Sequence, residues 1–149
     1  MKDFHLRFTT DWFDYLDDLL EKDILSIPER DGAYILGATD GTMFTYPWGS
    51  SPVFYIGKAD NLRKRLADHR KYIKGAQTDH EKINWWPRYQ YGAAFGAAVA
   101  FYLCQKNKDP NDLEAELIND FYYQYGSIPT ANGAWPKGIK EPENGEQSD

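Results

Sequence analysis

A short apolar run that ends at a glycine, followed closely by a basic helical pattern, constrains the fold of this chain most. Residues 53–56 are Val, Phe, Tyr and Ile, which favour a β-strand, and Gly57 ends the run. From Asn61 onward, apolar side chains recur at helical spacing among lysines and arginines, which predicts a helix over residues 61–74. A strand that turns at Gly57 into this helix gathers four side chains suited to hold a phosphate: Tyr55, Lys58, Arg65 and His69.

The rest of the chain adds strands and helices to this unit. Apolar periodicity and turn residues predict helices at 10–22 and 110–125, strands at 32–37 and 97–104, and loops at 38–52 and 75–96. Gly41 and Thr42 favour an antiparallel hairpin with a long loop between the first two strands. The order of elements predicts an α/β fold with a small central three-stranded antiparallel sheet, flanked by helices and extended by an N-terminal helix.

The length of 149 residues fits one domain with its own core. We expect a single domain over residues 1–136, with its core at 32–132 and a helical extension at 1–31. The polar segment 137–149 is typical of a disordered tail.

Composition also suggests a cellular setting. Cys104 is the only cysteine, so an intrachain disulfide cannot form, and no Cys/His cluster has the spacing of zinc ligands. The first residues lack the apolar segment of a signal peptide, and no apolar run is long enough to span a bilayer. These features predict a cytoplasmic protein in a reducing environment, without a membrane as partner.

Charge is distributed unevenly along the chain. The formal net charge is −6, but residues 58–88 hold nine Lys or Arg against four Asp or Glu and so carry +5. The remainder therefore carries −11. A basic segment can bind a polyanion locally because screening limits the reach of distant acidic groups. The alternative is an ordinary solvated helix face.

The helical geometry of residues 61–74 divides its basic side chains between two faces. At 100° per residue, Arg65 and His69 lie one turn apart along the rim of the apolar face, where packing would hold them. We expect three other basic side chains to point outward and to attract nucleic acid: Arg63, Arg70 and Lys74. The alternative for Arg65 and His69 is a snorkelling side chain and a partly buried filler.

Glu114 falls in the apolar stripe of the helix at 110–125, whereas Glu116 falls on the opposite face. A carboxylate in such a place is costly unless it is paired or binds a metal, and Mg²⁺ prefers oxygen ligands of this kind. A second interpretation is a capping box from Asn111 to Glu114. Asp109 and Pro110 offer a competing helix start that would leave Glu114 one turn further in.

Taken in order, these residues resemble the GIY-YIG nuclease family, and most closely the N-terminal domain of its excision-repair branch. Gly32-Ala33-Tyr34 is similar to the first motif and Tyr55-Ile56-Gly57 to the second, with Lys58 following as in that branch. Arg65 and His69 follow Tyr55 by ten and fourteen residues, as the family pattern requires. Glu114 resembles the acidic residue of the family helix, and the segment from Pro129 to Asn132 its closing Pro-x-x-Asn.

The resemblance implies a metal-dependent endonuclease that hydrolyses DNA phosphodiester bonds. Glu114 would bind one Mg²⁺ or Mn²⁺ ion, Arg65 would stabilise charge on the phosphate, and Tyr34 or Tyr55 would orient or deprotonate water. Lys58 and His69 would assist the tyrosine, and Asn132 would bind near the metal or a tyrosine. Repair, restriction and mobile-element roles all stay open.

Several departures from the family pattern affect specificity more than chemistry. The first motif has Ala33 where isoleucine is usual, and the chain is longer than usual at 38–52, at 75–96 and between Ile118 and Pro129. Recognition of particular DNA would then depend on the insertions, on a dimer or on a partner protein. Two other functions compete: a catalytically inactive nucleic-acid-binding module, and a protein-interaction module that uses Trp48, Trp85 and Trp86 as an apolar patch.

Overall fold

A computed structural model describes residues 8–9, 12–79 and 85–133 of the chain. Its helices are α1 (Leu16–Lys22), α2 (Leu62–Thr78), α3 (Pro87–Phe95) and α4 (Pro110–Tyr125). Its strands are β1 (Asp14–Tyr15), β2 (Gly32–Gly37), β3 (Phe44–Tyr46), β4 (Gly49–Ser51), β5 (Val53–Ala59) and β6 (Ala98–Leu103). A short 3₁₀ turn, Ile24–Ser26, follows α1.

Four strands form one antiparallel sheet in the order β1-β6-β2-β5. Side chains alternate between its two faces, so β2, which is buried along its whole length, contributes to two cores. Tyr34 and Leu36 pack with α1, α2 and α3 on one face, whereas Ala33 and Ile35 pack with α4 on the other. Strand β5 lies at the edge of the sheet, beside both helical layers.

The α/β class, the antiparallel pairing of β2 with β5, and the bounds of β2 and α4 are confirmed. The prediction of three strands is wrong, because Asp14 and Tyr15 pair with β6 as a fourth strand. These two residues had been assigned to a helix over 10–22, which begins only at Leu16. Phe13 packs on the α4 face and Leu16 on the opposite face. The apolar residues before and after β1 therefore do not share one helix stripe, although their spacing is helical.

Both predicted loops contain regular structure. Residues 38–52 include an antiparallel hairpin of β3 and β4, and residues 75–96 include the end of α2 and all of α3. Helix α3 packs closely on α2, since a Cβ at Gly92 would lie 2.5 Å from Cδ1 of Ile73. Pro87 at the first helical position is the sequence signal for α3.

The strand does not turn at Gly57. It continues to Ala59, and Asn61 then caps α2 by accepting a hydrogen bond from Lys64 N at 3.1 Å. Gly57 faces Tyr34 across the strand pair. A Cβ there would lie 2.5 Å from the Tyr34 hydroxyl oxygen and 2.7 Å from Cε2 of Tyr55, so glycine leaves the space that the two rings occupy.

Among the described residues, helices are either too short or too polar to cross a bilayer. The tail predicted at 137–149 lies outside the described residues.

Candidate active site

Tyr34 and His69 form a buried hydrogen-bonded pair at the centre of the candidate site. The Tyr34 hydroxyl lies 2.6 Å from Nε2 of His69, and the side chains are 1% and 0% exposed. This bond joins β2, which carries the first motif, to α2, and both of its residues are predicted site residues. His69 lies inside the core rather than at the rim of the helix face, which corrects the prediction from helical geometry.

Burial, together with the nearby cations Arg88 and Arg65, lowers the pKa of His69 to about 3. His69 is therefore neutral at physiological pH and carries a single ring N–H. Its Nδ1 is buried and has no hydrogen-bond partner among the described residues. A neutral His69 can orient Tyr34 but cannot be the cation that helps a tyrosine to ionise.

The two tyrosines differ in access to solvent. Burial, and secondly the neighbouring Tyr55 phenol, raise the pKa of Tyr34 well above its usual range, while Arg65 and Arg88 act in the opposite direction. Tyr55 is half-buried, and burial raises its pKa as well; Arg88 lowers it, Glu114 raises it and Arg65 lowers it. Tyr55 is thus the tyrosine that can meet a water molecule.

Tyr55 is also the point where the predicted residues of two layers come together. Its ring lies on the α2 and α3 face of β5, and its pKa responds to Arg65 from α2 and to Glu114 from α4. Tyr34 responds to Arg65 as well. The site therefore wraps around edge strand β5, with Glu114 on the α4 side and the two tyrosines and Arg65 on the other.

The start of α4 decides between the two interpretations of Glu114. Asp109 is the N-cap and forms a capping box with Asp112, while Pro110 occupies the first turn. Glu114 lies beyond this box and is half-buried, with no hydrogen bond or ion pair to any described residue. Burial raises the pKa of Glu114, against the lowering effect of Lys58. The capping role belongs to Asp112, and Glu114 is left as an unpaired carboxylate.

Lys58 extends from β5 toward the α4 side. It pairs in register with Ala33, so it shares the sheet face that α4 covers, and its side chain is exposed. Its influence on the pKa of Glu114 shows that the two charges are near each other. Lys58 thus accompanies Glu114 rather than the tyrosines.

Asn132 holds the outer edge of β5. Its Oδ1 accepts a hydrogen bond from Ile56 N at 3.0 Å, and its Nδ2 donates to Ile56 O at 2.9 Å. Ala131 N donates to Phe54 O at 2.8 Å on the same edge. These contacts fix the strand next to Tyr55, and the role of Asn132 near a metal or a tyrosine stays a prediction.

The β3–β4 hairpin supports the segment that carries Asn132. The Tyr46 hydroxyl donates to Val53 O at 2.8 Å and accepts from Thr130 N at 3.1 Å. The insertion between the two motifs therefore tethers residues 129–132 to the start of β5.

Arg88 is a site residue that the sequence analysis missed. Its guanidinium carbon lies 5.4 Å from the Tyr55 ring centroid, 4.8 Å from that of Tyr89 and 5.2 Å from that of Trp86. It contributes to the pKa of Tyr34, Tyr55 and His69. The sequence predicts a loop over residues 75–96, and only Pro87 indicates the helix that positions Arg88.

The charged side chains of the site form no ion pair within the described part of the chain. The described residues form four ion pairs, and none includes the cations Lys58, Arg65 and Arg88 or the carboxylate of Glu114. The site has a local positive charge on a chain of net charge −6, because Arg65 and Arg88 act on Tyr55 and Lys58 acts on Glu114. Such a site favours an anionic ligand.

The three basic residues predicted to point outward differ from one another. Arg63 donates to Ile27 O at 2.8 Å and pairs with Glu29 at 3.4 Å, and Arg70 pairs with Glu21 at 3.3 Å. Both side chains are half-buried, and both contact residues between 21 and 29. The prediction that they point outward is therefore wrong. Lys74 is exposed. Nucleic-acid binding by these residues stays a prediction.

The three tryptophans occupy different settings. Trp85 is half-buried, and its Nε1 donates to Asp79 Oδ2 at 2.8 Å. Trp48 is 62% exposed and packs on Tyr122 of α4, whereas Trp86 is 64% exposed beside Arg88.

Few side chains at the site could serve as metal ligands. The described residues contain no group of three or more His, Cys, Asp or Glu side chains that could hold a metal ion. A single unpaired carboxylate still fits Mg²⁺, which takes one or two carboxylates and completes its coordination with water and substrate phosphate. Glu114 meets this description.

Comparisons of the chain with protein-family models, curated proteins and solved structures find no match. The resemblance to the GIY-YIG family therefore rests only on the residues of the two motifs and their partners.

Proposed function

We propose that this chain is a metal-dependent endonuclease that hydrolyses phosphodiester bonds in DNA, on a fold of the GIY-YIG type. One observation supports the proposal most: Arg65, Arg88 and Glu114 come from three different helices, form no ion pair with any described residue, and each act on Tyr55 through their charge, with the Arg88 guanidinium carbon 5.4 Å from its ring centroid. Charged side chains left unpaired at one half-buried tyrosine are typical of a functional site, because a structural role would favour pairing them.

The reaction joins a water oxygen to phosphorus while the bond from phosphorus to one sugar oxygen breaks. In the proposed site, Tyr55 accepts a hydrogen bond from the attacking water and orients it, since Tyr34 is too buried to do so. Arg65 stabilises the negative charge that grows on the phosphate oxygens. The attacking water releases a proton to solvent as its oxygen bonds to phosphorus, and the departing sugar oxygen gains a proton from a solvent molecule near the exposed Lys58.

Glu114 would hold the divalent cation, which supplies Lewis-acid stabilisation of the phosphate when bound. The chain itself provides the rest of the positioning. His69 fixes the Tyr34 ring beneath Tyr55, and Asn132 fixes the backbone of β5 at Ile56.

A nucleic-acid-binding module without catalysis is the second candidate function. The observation in its favour is that burial raises the pKa of both tyrosines, which makes proton removal from either one harder. The cations at the site oppose this effect without reversing it.

A cleavage assay separates the two functions. Supercoiled plasmid, linear duplex, branched and single-stranded DNA are incubated with the protein and Mg²⁺, beside Glu114→Gln and Arg65→Ala. The matched control is Glu116→Gln on the same helix, where the exposed carboxylate pairs with Lys108 at 2.6 Å. We expect wild type and Glu116→Gln to cut at least one substrate, and the two site variants to lose at least about 100-fold in rate. Cleavage by Glu114→Gln at the wild-type rate, or binding without any cleavage by wild type, would refute the endonuclease proposal.

A further inference from the structure

We infer that Trp86 and Arg88 form a nucleotide-binding subsite beside the candidate active site, where Arg88 binds a backbone phosphate and Trp86 stacks on an unpaired base. The choice of nucleic acid as ligand rests on the proposed function. The subsite names a substrate class that the proposed function leaves open: DNA with a single-stranded or unpaired nucleotide next to the bond that is cut.

Trp86 is a large apolar side chain that stays exposed although its backbone is firmly held. It is the N-cap residue of α3, and its carbonyl accepts hydrogen bonds from Tyr89 N at 2.9 Å and Gln90 N at 3.2 Å. The preceding Trp85 is anchored to Asp79 and packs against Gly75. A 64% exposed indole on a held backbone offers a stacking surface.

Arg88 is held by its aromatic neighbours and not by acidic groups. Its guanidinium lies within 5.4 Å of the ring centroids of Tyr55, Tyr89 and Trp86. No carboxylate among the described residues lies within ion-pair distance of it. Arg88 makes one side-chain hydrogen bond with Tyr89, and contact with ring faces leaves its other N–H groups at the edge of the guanidinium to bind phosphate oxygens. The same side chain contacts Tyr55, so a phosphate bound here lies next to the proposed reacting centre.

The combination of the two side chains selects an unpaired nucleotide. In a regular duplex, neighbouring base pairs cover both faces of each base, so an indole outside the helix has no face to stack on. A base at an end, a gap, a loop or in a single strand has an open face, and stacking on an aromatic side chain contributes about 1–3 kcal/mol per base. Arg88 alone would bind any nucleic acid, and Trp86 adds the preference for unpaired bases.

The test measures binding without cleavage. A fluorescein-labelled single-stranded oligonucleotide and the corresponding fully paired duplex are titrated with Glu114→Gln protein in EDTA, and affinity is read by fluorescence anisotropy. Trp86→Ala and Arg88→Gln are added to this background. The matched control is Trp48→Ala, an equally exposed tryptophan whose backbone N–H binds Tyr125 O at the far end of α4 from Glu114.

We expect Trp86→Ala to weaken binding of the single strand by about 5- to 150-fold, the range that corresponds to loss of one stacked base, and to change duplex affinity less than twofold. Arg88→Gln should weaken both ligands, and Trp48→Ala neither. Because Arg88 also packs against three rings, Arg88→Lys and a thermal melt of each variant separate lost binding from lost folding.

Three results would overturn the subsite: equal single-strand affinity of Trp86→Ala and its parent, equal losses for single strand and duplex, or no binding of either DNA by the parent. These results are distinct from failure of the proposed function. A wild-type protein that cuts DNA while Trp86→Ala binds normally refutes the subsite alone. A protein that binds through Trp86 and cuts nothing refutes the endonuclease alone.

Discussion

The Tyr34 hydroxyl and Nε2 of His69 lie 2.6 Å apart in the interior, where each side chain is almost fully buried. This bond joins the first motif strand to the helix that follows the second motif. It also holds the Tyr34 ring 6.1 Å, centroid to centroid, from Tyr55. The geometry of the candidate site therefore depends on a neutral histidine inside the core, which has consequences for stability that can be measured.

Stability should fall in mild acid because of His69. Its folded pKa of about 3 is below its unfolded value of about 6.5, so the unfolded state binds the proton first. The stabilisation is complete above pH 6.5 and is lost as pH falls toward 3. Between pH 8 and pH 5 we expect a loss of about 2 kcal/mol in the free energy of unfolding, measured by urea denaturation.

The control for this pH dependence is His69→Gln, whose amide can bond Tyr34 but does not titrate. Glu114 acts in the opposite direction, since a raised carboxyl pKa favours the folded state as pH falls. We expect the variant to lose most of the decline between pH 6.5 and pH 5. A slope in His69→Gln equal to that of the wild type would show that other groups cause the dependence.

Gly57→Ala should displace the Tyr34 or the Tyr55 ring. The added methyl group would lie 2.5 Å from the Tyr34 hydroxyl oxygen and 2.7 Å from the Tyr55 ring, so at least one ring must move. We expect a loss of about 1–3 kcal/mol in stability and a drop in cleavage rate. Gly49→Ala is the matched control in another strand, where the new methyl group meets Tyr125 only at 3.5 Å. Thermal melts that place the two variants within one degree of each other would contradict the packing argument.

Asn132→Ala should loosen the outer edge of β5. The side chain now binds both the N–H and the C=O of Ile56, and its removal leaves these groups to water. We expect the Ile56 amide to exchange with deuterium faster in the variant, whereas the amide of Ile35 in the central strand β2 should exchange at the wild-type rate. Unchanged exchange at Ile56 would mean that another group satisfies this edge.

The sequence predicts much of this arrangement because its two motifs are local patterns. The spacing from Tyr55 in β5 places Arg65 and His69 in the first half of α2, and the alternation in β2 places Tyr34 on the same sheet face as Tyr55. Asp109 and Pro110 also marked the start of α4 as the structure has it.

What the sequence does not predict depends on packing between distant segments. The depth of His69 is set by Tyr89, a residue of α3 whose ring centroid lies 5.3 Å from that of the imidazole. Arg88 reaches the site for the same reason, because Gly92 allows α3 to approach α2. The pairing of Asp14 with Val99 likewise depends on β6, far along the chain, and overrides the local helical spacing.

The melting temperature of Glu114→Gln, with and without MgCl₂, should distinguish metal binding by Glu114 from the cost of burying its charge. Because burial raises the pKa of Glu114, the charged form is disfavoured in the folded state, and stability is lost as pH rises through that pKa. Without a divalent cation, the neutral glutamine should therefore raise the melting temperature at pH 8.

A cation that binds only the folded state should stabilise the wild type increasingly as its concentration rises. We expect millimolar MgCl₂ to raise the wild-type melting temperature and to leave that of Glu114→Gln unchanged. Glu116→Gln, whose parent carboxylate pairs with Lys108, should respond to MgCl₂ as the wild type does. Equal responses of all three proteins to MgCl₂ would remove Glu114 as the metal ligand.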